Sequence, residues 1–219
     1  MDASIIRSYL PIFAQAFTLT VIIGWIGIVL SILIGMLSAF VLYFKIPVLA
    51  NVVRCYVELF RNTPLLVQLF FLYYGLPSVG VRLSAQVCGV VGLGLLGGSY
   101  MTETLRSGLE TVPLSQKESA YSLGFSKAQL FVDIILPQAV SVSVPAVTAN
   151  IIFLLKETSV FSAISLMDLM FTAKDLIGLY YNTTESLTLL VLFYICMILP
   201  VSFVGNWIEK RSRRNIYGD

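Results

Sequence analysis

The sequence predicts an all-α polytopic membrane protein, and three observations carry that prediction. Of its 219 residues 58% are hydrophobic and only 12% are charged, where soluble domains carry about a quarter charged residues. The mean hydropathy is +0.89. Uncharged runs also recur at the length of a bilayer crossing, which takes about 20 apolar residues; the longest lies between Arg7 and Lys45.

Taken in order, the runs predict five transmembrane helices in a single domain, 1–219. The first span covers about 17–43, with Gly27, Ser31 and Gly35 recurring every fourth residue. Small residues at that spacing let another helix approach closely, although a membrane helix also tolerates isolated glycines. Pro47 ends it. The second span, 49–76, carries Arg54, Glu58 and Arg61 within helical apolar periodicity, with Glu58 and Arg61 close enough along the helix to pair. It then meets Asn62-Thr63-Pro64. Pro64 lacks a backbone donor and pushes Thr63 away from helix, so a break is predicted there. The third span, 83–105, contains Gly92, Gly94 and Gly97, which formally match a nucleotide-binding GxGxxG with Glu118 downstream. No strand precedes them and the segment is uncharged, so Gly94 and Gly98 are read as a GxxxG packing pair. The fourth and fifth spans cover 134–158 and 186–208. Between them lies a polar connection with a short helix, carrying Asp168, Lys174 and Asp175.

The distribution of basic residues orients this topology. Placing Lys210, Arg211, Arg213 and Arg214 inside also places Lys45, Arg54, Arg106, Lys117 and Lys127 there, against Arg7, Arg82 and Lys174 outside. The positive-inside rule then puts the N-terminus out and the C-terminus in. The loop 106–133 faces the cytoplasm.

Composition also excludes functions. There is no His, which removes Ser-His-Asp and Cys-His nucleophiles and His-containing zinc sites. Cys55, Cys88 and Cys196 are dispersed in apolar surroundings and read as core thiols. A net charge of +2 gives no basis for a nucleic-acid partner. No phosphate loop GxxxxGK[ST] is present.

The cytoplasmic loop holds the densest polar chemistry. Ser115 and Glu118 fit a capping box, predicting a helix from Gln116 to about Leu123 with Ser115 as N-cap. Gly124 suits a left-handed stop, and a second helical segment follows from Lys127 to Asp133. Tyr121 and Phe125 on so short a polar helix need something to bury against, either the lipid interface or a groove on another protein.

Glu118-Ser119-Ala120, then Gly124, then Ile134-x-Leu136-Pro137 resembles the EAA loop of ABC importer permeases. The spacing agrees, with Ser119 where Ala is usual and Ser115 where Gly is common. The segments Val57 to Gln68 and Leu154-Leu155-Lys156-Glu157-Thr158-Ser159 resemble the second- and fourth-helix motifs of the polar amino acid uptake branch, the histidine/glutamine/arginine permeases. The resemblance implies a type I ABC importer transmembrane-domain fold in the bacterial cytoplasmic (inner) membrane, with no enzymatic activity and no cofactor in this chain. It implies a second permease copy or homologue, two cytosolic ATPase subunits holding ATP and Mg, an extracytoplasmic substrate-binding protein and a polar amino acid substrate. Glu118, Ser119, Ala120, Tyr121, Gly124, Phe125, Leu136 and Pro137 would couple the chain to the ATPase.

For an amino acid, Glu157 suits the ammonium group. It lies seven residues from Asn150, about two helical turns, so both share a face. Backbone donors near Pro64, with Thr63, could meet the carboxylate, and Arg61 is a further candidate substrate contact. A neutral Asn150 adds no second fixed negative charge, which favours a neutral or acidic substrate. The alternative is an ion-coupled secondary amino acid transporter or channel using Glu58 and Glu157. It lacks the inverted repeat of discontinuous segments that such folds carry.

Overall fold

The structure is a computed structural model that describes residues 2–217, with side chains through Ser212. The side chains of Arg213 and Arg214, counted above for orientation, lie outside the described residues. Every element described is helical: α1 (Ala3–Tyr43), α2 (Leu49–Arg61), α3 (Leu65–Phe70), α4 (Ala85–Glu110), α5 (Leu114–Ser122), α6 (Lys127–Gln129), α7 (Leu136–Glu157), α8 (Leu169–Tyr180) and α9 (Thr183–Tyr217).

Four helical runs are long and apolar enough to cross a membrane: Ala3–Tyr43, Ala85–Glu110, Lys127–Ile164 and Thr183–Ser212. The expected second span differs. It divides into the 13-residue α2 and a second apolar run, Leu65–Val79, because the chain breaks at Thr63-Pro64, as Pro64 predicts. The first helix starts at Ala3 rather than near Phe17. Asp2 caps it by accepting from Ser4 N at 2.9 Å, so the helix continues well before the apolar core begins. Its 41 residues make it about 62 Å long at the usual rise. The third helix likewise runs to Glu110, and the fourth resumes at Lys127, so the loop between them shrinks to 111–126.

Two π-helical turns, Phe71–Gly75 and Leu130–Ile135, each end two residues before a proline, Pro77 and Pro137. A proline removes the donor for the carbonyl four residues back and crowds it. A widened turn accommodates both problems without ending the helix.

The centre of the fold is α4, and its glycines explain why. A Cβ at Gly94 would come 2.6 Å from Leu30 Cδ2 of α1; at Gly97 it would meet Leu154 of α7 and Ser31 of α1 at 2.6 and 2.7 Å. At Gly98 it would meet the Tyr56 hydroxyl of α2 at 2.6 Å, and at Gly92 Leu69 of α3 at 2.7 Å. From the opposite side, Gly27 of α1 abuts Leu93 and Gly35 abuts Met101. The α1–α4 contact is the most extensive between helices. The glycine pattern is thus a packing seam that admits four neighbours, and the nucleotide-like spacing is incidental. Ile28, Leu69, Leu93, Met101, Leu154, Leu155 and Phe161 fill the core around it.

Cys88 is buried as expected, but Cys55 and Cys196 are exposed. They sit on faces of α2 and α9 that a single chain leaves uncovered.

Away from the loop, α8 closes the other end. Asp168 is fully buried and caps α8, accepting from Phe171 N at 2.9 Å and Met170 N at 3.3 Å. Thr20 of α1 accepts from Leu169 N at 3.1 Å, and Asn182 donates to the Tyr9 hydroxyl at 2.9 Å. Burial raises the Asp168 carboxyl to about 7.

Candidate functional site: the loop helix and a polar junction

The loop helix α5 begins two residues earlier than its sequence suggests. Pro113 is the N-cap residue, with φ −60° and ψ 148°, and makes no side-chain cap. Ser115 therefore lies inside the first turn, where its hydroxyl cannot fill the N-cap role, and Glu118 is exposed one turn further on. The capping box forms instead at the next helix. Ser126 Oγ accepts from Gln129 N at 3.2 Å while Gln129 Oε1 accepts from Ser126 N at 2.9 Å.

The helix stop follows expectation. Gly124 has φ +85°, a left-handed conformation that costs glycine nothing. Gly124 N donates to Tyr121 O and Phe125 N donates to Ala120 O, both at 3.0 Å, which is the paired arrangement of a Schellman motif. This turn sorts the side chains. Ala120 is buried and Phe125 half-buried among Leu109, Val112, Leu130 and Ile135. Phe125 thus packs within its own chain. Glu118, Ser119 and Tyr121 face outward. Leu114 and Leu123, 69% and 79% exposed, share that outward character and were not singled out by sequence.

The helix that re-enters at Leu136-Pro137 is tied directly to α5. Gln138 Nε2 donates to Gln116 Oε1 at 2.9 Å and to Ile134 O at 3.0 Å. Lys117 Nζ stands 5.8 Å from the Tyr43 ring centroid. Phe131 packs against Phe40, Tyr43 and Phe44 at the end of α1, with ring centroids 5.1 to 6.2 Å apart. Through Gln116 and Lys117, α5 thus touches both α7 and α1. Gln138 and Phe131 went unread because their partners are distant in sequence.

The second group of candidate residues lies on α2, at the break after it and on α7, with α4 between the two helices. Thr63 serves the break itself: its hydroxyl donates to Leu59 O at 2.9 Å and accepts from Gln68 Nε2 at 3.0 Å. Gln68 also reaches Phe60 O and Thr63 O, both at 3.1 Å, and so staples the interruption before Pro64. With its donor spent on Leu59, the Thr63 hydroxyl does not present one to a carboxylate. Arg61 pairs across helices with Glu103 at 3.9 Å rather than with Glu58, whose carboxylate accepts from Asn62 at 3.2 Å. Asn150 Nδ2 donates to Thr104 Oγ1 at 2.9 Å. Glu157, half-buried at the end of α7, makes no ion pair among the described residues. It lies about 10 Å along the helix from Asn150. Lys156 points elsewhere, into a groove with Ser159 and Tyr194. Among the described residues no cluster of His, Cys, Asp and Glu suits a metal ion.

Comparison with known proteins agrees with this architecture. Residues 27–215 match the family described as binding-protein-dependent transport system inner membrane component. The probable glutamine ABC transporter permease protein GlnP of Bacillus subtilis is 33% identical over 94% of this chain and 96% of its own length. The probable amino-acid ABC transporter permease protein PatM of Vibrio harveyi is 31% identical over 97% of each. A crystal structure of an amino acid ABC transporter with histidines superposes with a TM-score of 0.89 at 30% identity, covering 96% of this chain and 99% of that one. The MetNI methionine ABC transporter in an inward-facing form gives a TM-score of 0.79 at 20% identity, a likeness of fold. The chain therefore belongs to the binding-protein-dependent transport system inner membrane component family, as a membrane-embedded ABC importer permease whose ATPase is a separate subunit.

Proposed function

We infer that this chain forms the translocation pathway for a polar amino acid, neutral or acidic, and is driven by ATP hydrolysed on partner subunits. Two copies, or one copy and a homologous permease, enclose the path. Two cytosolic ATPase subunits carry ATP and Mg, and an extracytoplasmic binding protein delivers the substrate. The N-terminus lies outside and the C-terminus inside, with α2 and the Leu65–Val79 run together making the fifth crossing. The observation that carries this reading is the division of α5 and the turn after it into a rooted side, Ala120 and Phe125, and a presented face, Glu118, Ser119 and Tyr121. A helix so divided suits docking into a protein groove. Leu136 and Pro137 then carry the motion into α7, and Gly124 sets the angle of the turn.

Along the path, Glu157 meets the substrate ammonium as a half-buried carboxylate with no cation of its own. Arg61 meets the carboxylate beside the Pro64 break, at about the level of Asn150. Family membership disfavours the ion-coupled alternative, which leaves α5 without a task. Reconstitution with the cognate ATPase and binding protein tests the reading. Uptake should require ATP, be competed by a subset of the twenty common amino acids, and fall at least tenfold for Glu157→Gln with ATPase assembly intact. ATP-independent uptake, or unchanged uptake by Glu157→Gln, would contradict it.

A further inference from the structure

One turn of α4 reaches both helices that carry the candidate transport residues. Toward α2, the Tyr100 ring centroid lies 5.4 Å from the Arg61 guanidinium carbon, and Glu103 Oε2 stands 3.9 Å from Arg61 Nη1. Toward α7, Thr104 Oγ1 accepts from Asn150 at 2.9 Å, and the Tyr100 and Phe153 rings are 5.3 Å apart. Residues 100, 103 and 104 thus bridge α2 to α7.

The Glu103 carboxylate is not free to follow Arg61. Its Oε2 accepts from Arg106 Nη2 at 2.8 Å, and Arg106 Nη1 is held in turn by both oxygens of Glu110, at 2.9 and 3.0 Å. The guanidinium of Arg106 is consumed by these two carboxylates. That of Arg61 is oriented differently, by one long ionic contact and one aromatic face. Guanidinium offers five N–H donors in a planar fork, matched to a carboxylate taken side-on. Held at 3.9 Å, Glu103 orients that fork without closing on it. Its side chain and that of Arg61 are 30% and 41% exposed, so a ligand can approach.

We propose that Glu103 is a positioning residue of the translocation path: anchored by Arg106, it aims Arg61 at the substrate carboxylate, while neighbouring Thr104 fixes Asn150 in register with it. The proposal rests on the reading of Arg61 and Asn150 as substrate-facing. It adds a specificity consequence, because an amino acid whose α-carboxylate is blocked loses the partner that Glu103 prepares.

Equilibrium binding to the purified permease–ATPase complex tests this, without the binding protein, which would otherwise dominate the apparent affinity. The probes are the amino acid most strongly taken up from the panel of twenty and its α-carboxamide. Wild type should prefer the acid. Arg61→Gln and Glu103→Gln should each weaken acid binding roughly tenfold and reduce the acid-over-amide preference, and the double variant should be no worse than Arg61→Gln alone, as coupled residues require. Glu103→Asp should restore most of the preference, which a loss of helix packing would not allow. Multiplicative effects in the double variant, or an unchanged acid-over-amide ratio in Glu103→Gln, would overturn the positioning role. If Arg61→Gln and Asn150→Ala leave binding unaltered while Glu157→Gln abolishes it, the placement of the carboxylate at Arg61 fails, and Glu103's role fails with it. Transport itself, tested separately, would stand.

Discussion

The α1–α4 seam and the mounting of α5 are built from opposite materials. At the seam, glycines bring side chains against bare backbone, and an added Cβ at Gly27, Gly94 or Gly97 would sit within 2.8 Å of a neighbour. Such an interface has no slack, since interiors are close-packed and admit little volume change. At the mounting, α5 is held by a glycine turn, a Gln138–Gln116 hydrogen bond, a lysine over a tyrosine ring and the edge contacts of Phe131. Each of these is a side chain with staggered alternatives or a single turn that can tilt. The difference teaches how one chain is both frame and handle. On the proposed reading the seam would move as a unit, and the handle would be pulled without remodelling it.

The comparison can be broken most severely at the seam. Gly97→Leu should abolish folded protein, because overpacking by even a methylene costs about 1–3 kcal/mol and this change adds far more. The check is the yield of monodisperse protein and its thermal unfolding in detergent. A well-folded Gly97→Leu protein would deny the seam its rigidity. Ala120→Arg should act at the mounting alone. It places a charge among Leu109, Val112, Leu130 and Ile135 and should cut ATP-driven uptake at least tenfold, while the unfolding temperature of the helical core stays within a few degrees of wild type.

A smaller effect sharpens the contrast at the far end, where Asp168 caps α8. Burial holds its carboxyl at about 7, above the ordinary aspartate value near 4. The folded protein keeps a proton the unfolded chain has released, so this stabilisation is complete below about pH 4 and is lost as pH rises to about 7. Amides of α8 should therefore open more readily at pH 8 than at pH 6 by hydrogen exchange corrected for intrinsic rates, and Asp168→Asn should remove the difference. The smallest effect separates two serines. Ser126→Ala should weaken the start of α6 by about 1 kcal/mol, the usual worth of a cap, whereas Ser115→Ala should leave α5 unchanged in the same exchange measurement.

What could be read from sequence was local backbone chemistry. Pro64 and Gly124 impose their conformations on the chain wherever it folds, and the recurring small residues at Gly27, Ser31, Gly35, Gly94 and Gly98 follow directly from helical geometry. The capping box at Ser115 does not form because Ser-x-x-Glu spacing cannot by itself fix a helix start; Pro113 moves that start two residues earlier. The start of α1 at Ala3 leaves no hydropathy signal, because hydropathy marks the hydrocarbon core rather than the Asp2 cap. The break at Thr63-Pro64 is legible from Pro64, but the apolar length of the second span hides that it ends one helix and starts another. At the polar junction, Arg61 and Asn150 were visible as polar residues in apolar helices. Their partners Glu103 and Thr104 were not, since helix-to-helix pairing across 42 and 46 positions leaves no periodic trace.

The central claim is that α5 is the handle by which an ATPase moves this frame. It is tested most directly by co-purifying the cognate ATPase with tagged permease carrying Tyr121→Glu, a change on the presented face of α5. The account predicts that the ATPase is lost while the permease remains folded and monodisperse. Full retention of the ATPase by that variant, and by Ala120→Arg beside it, would contradict it.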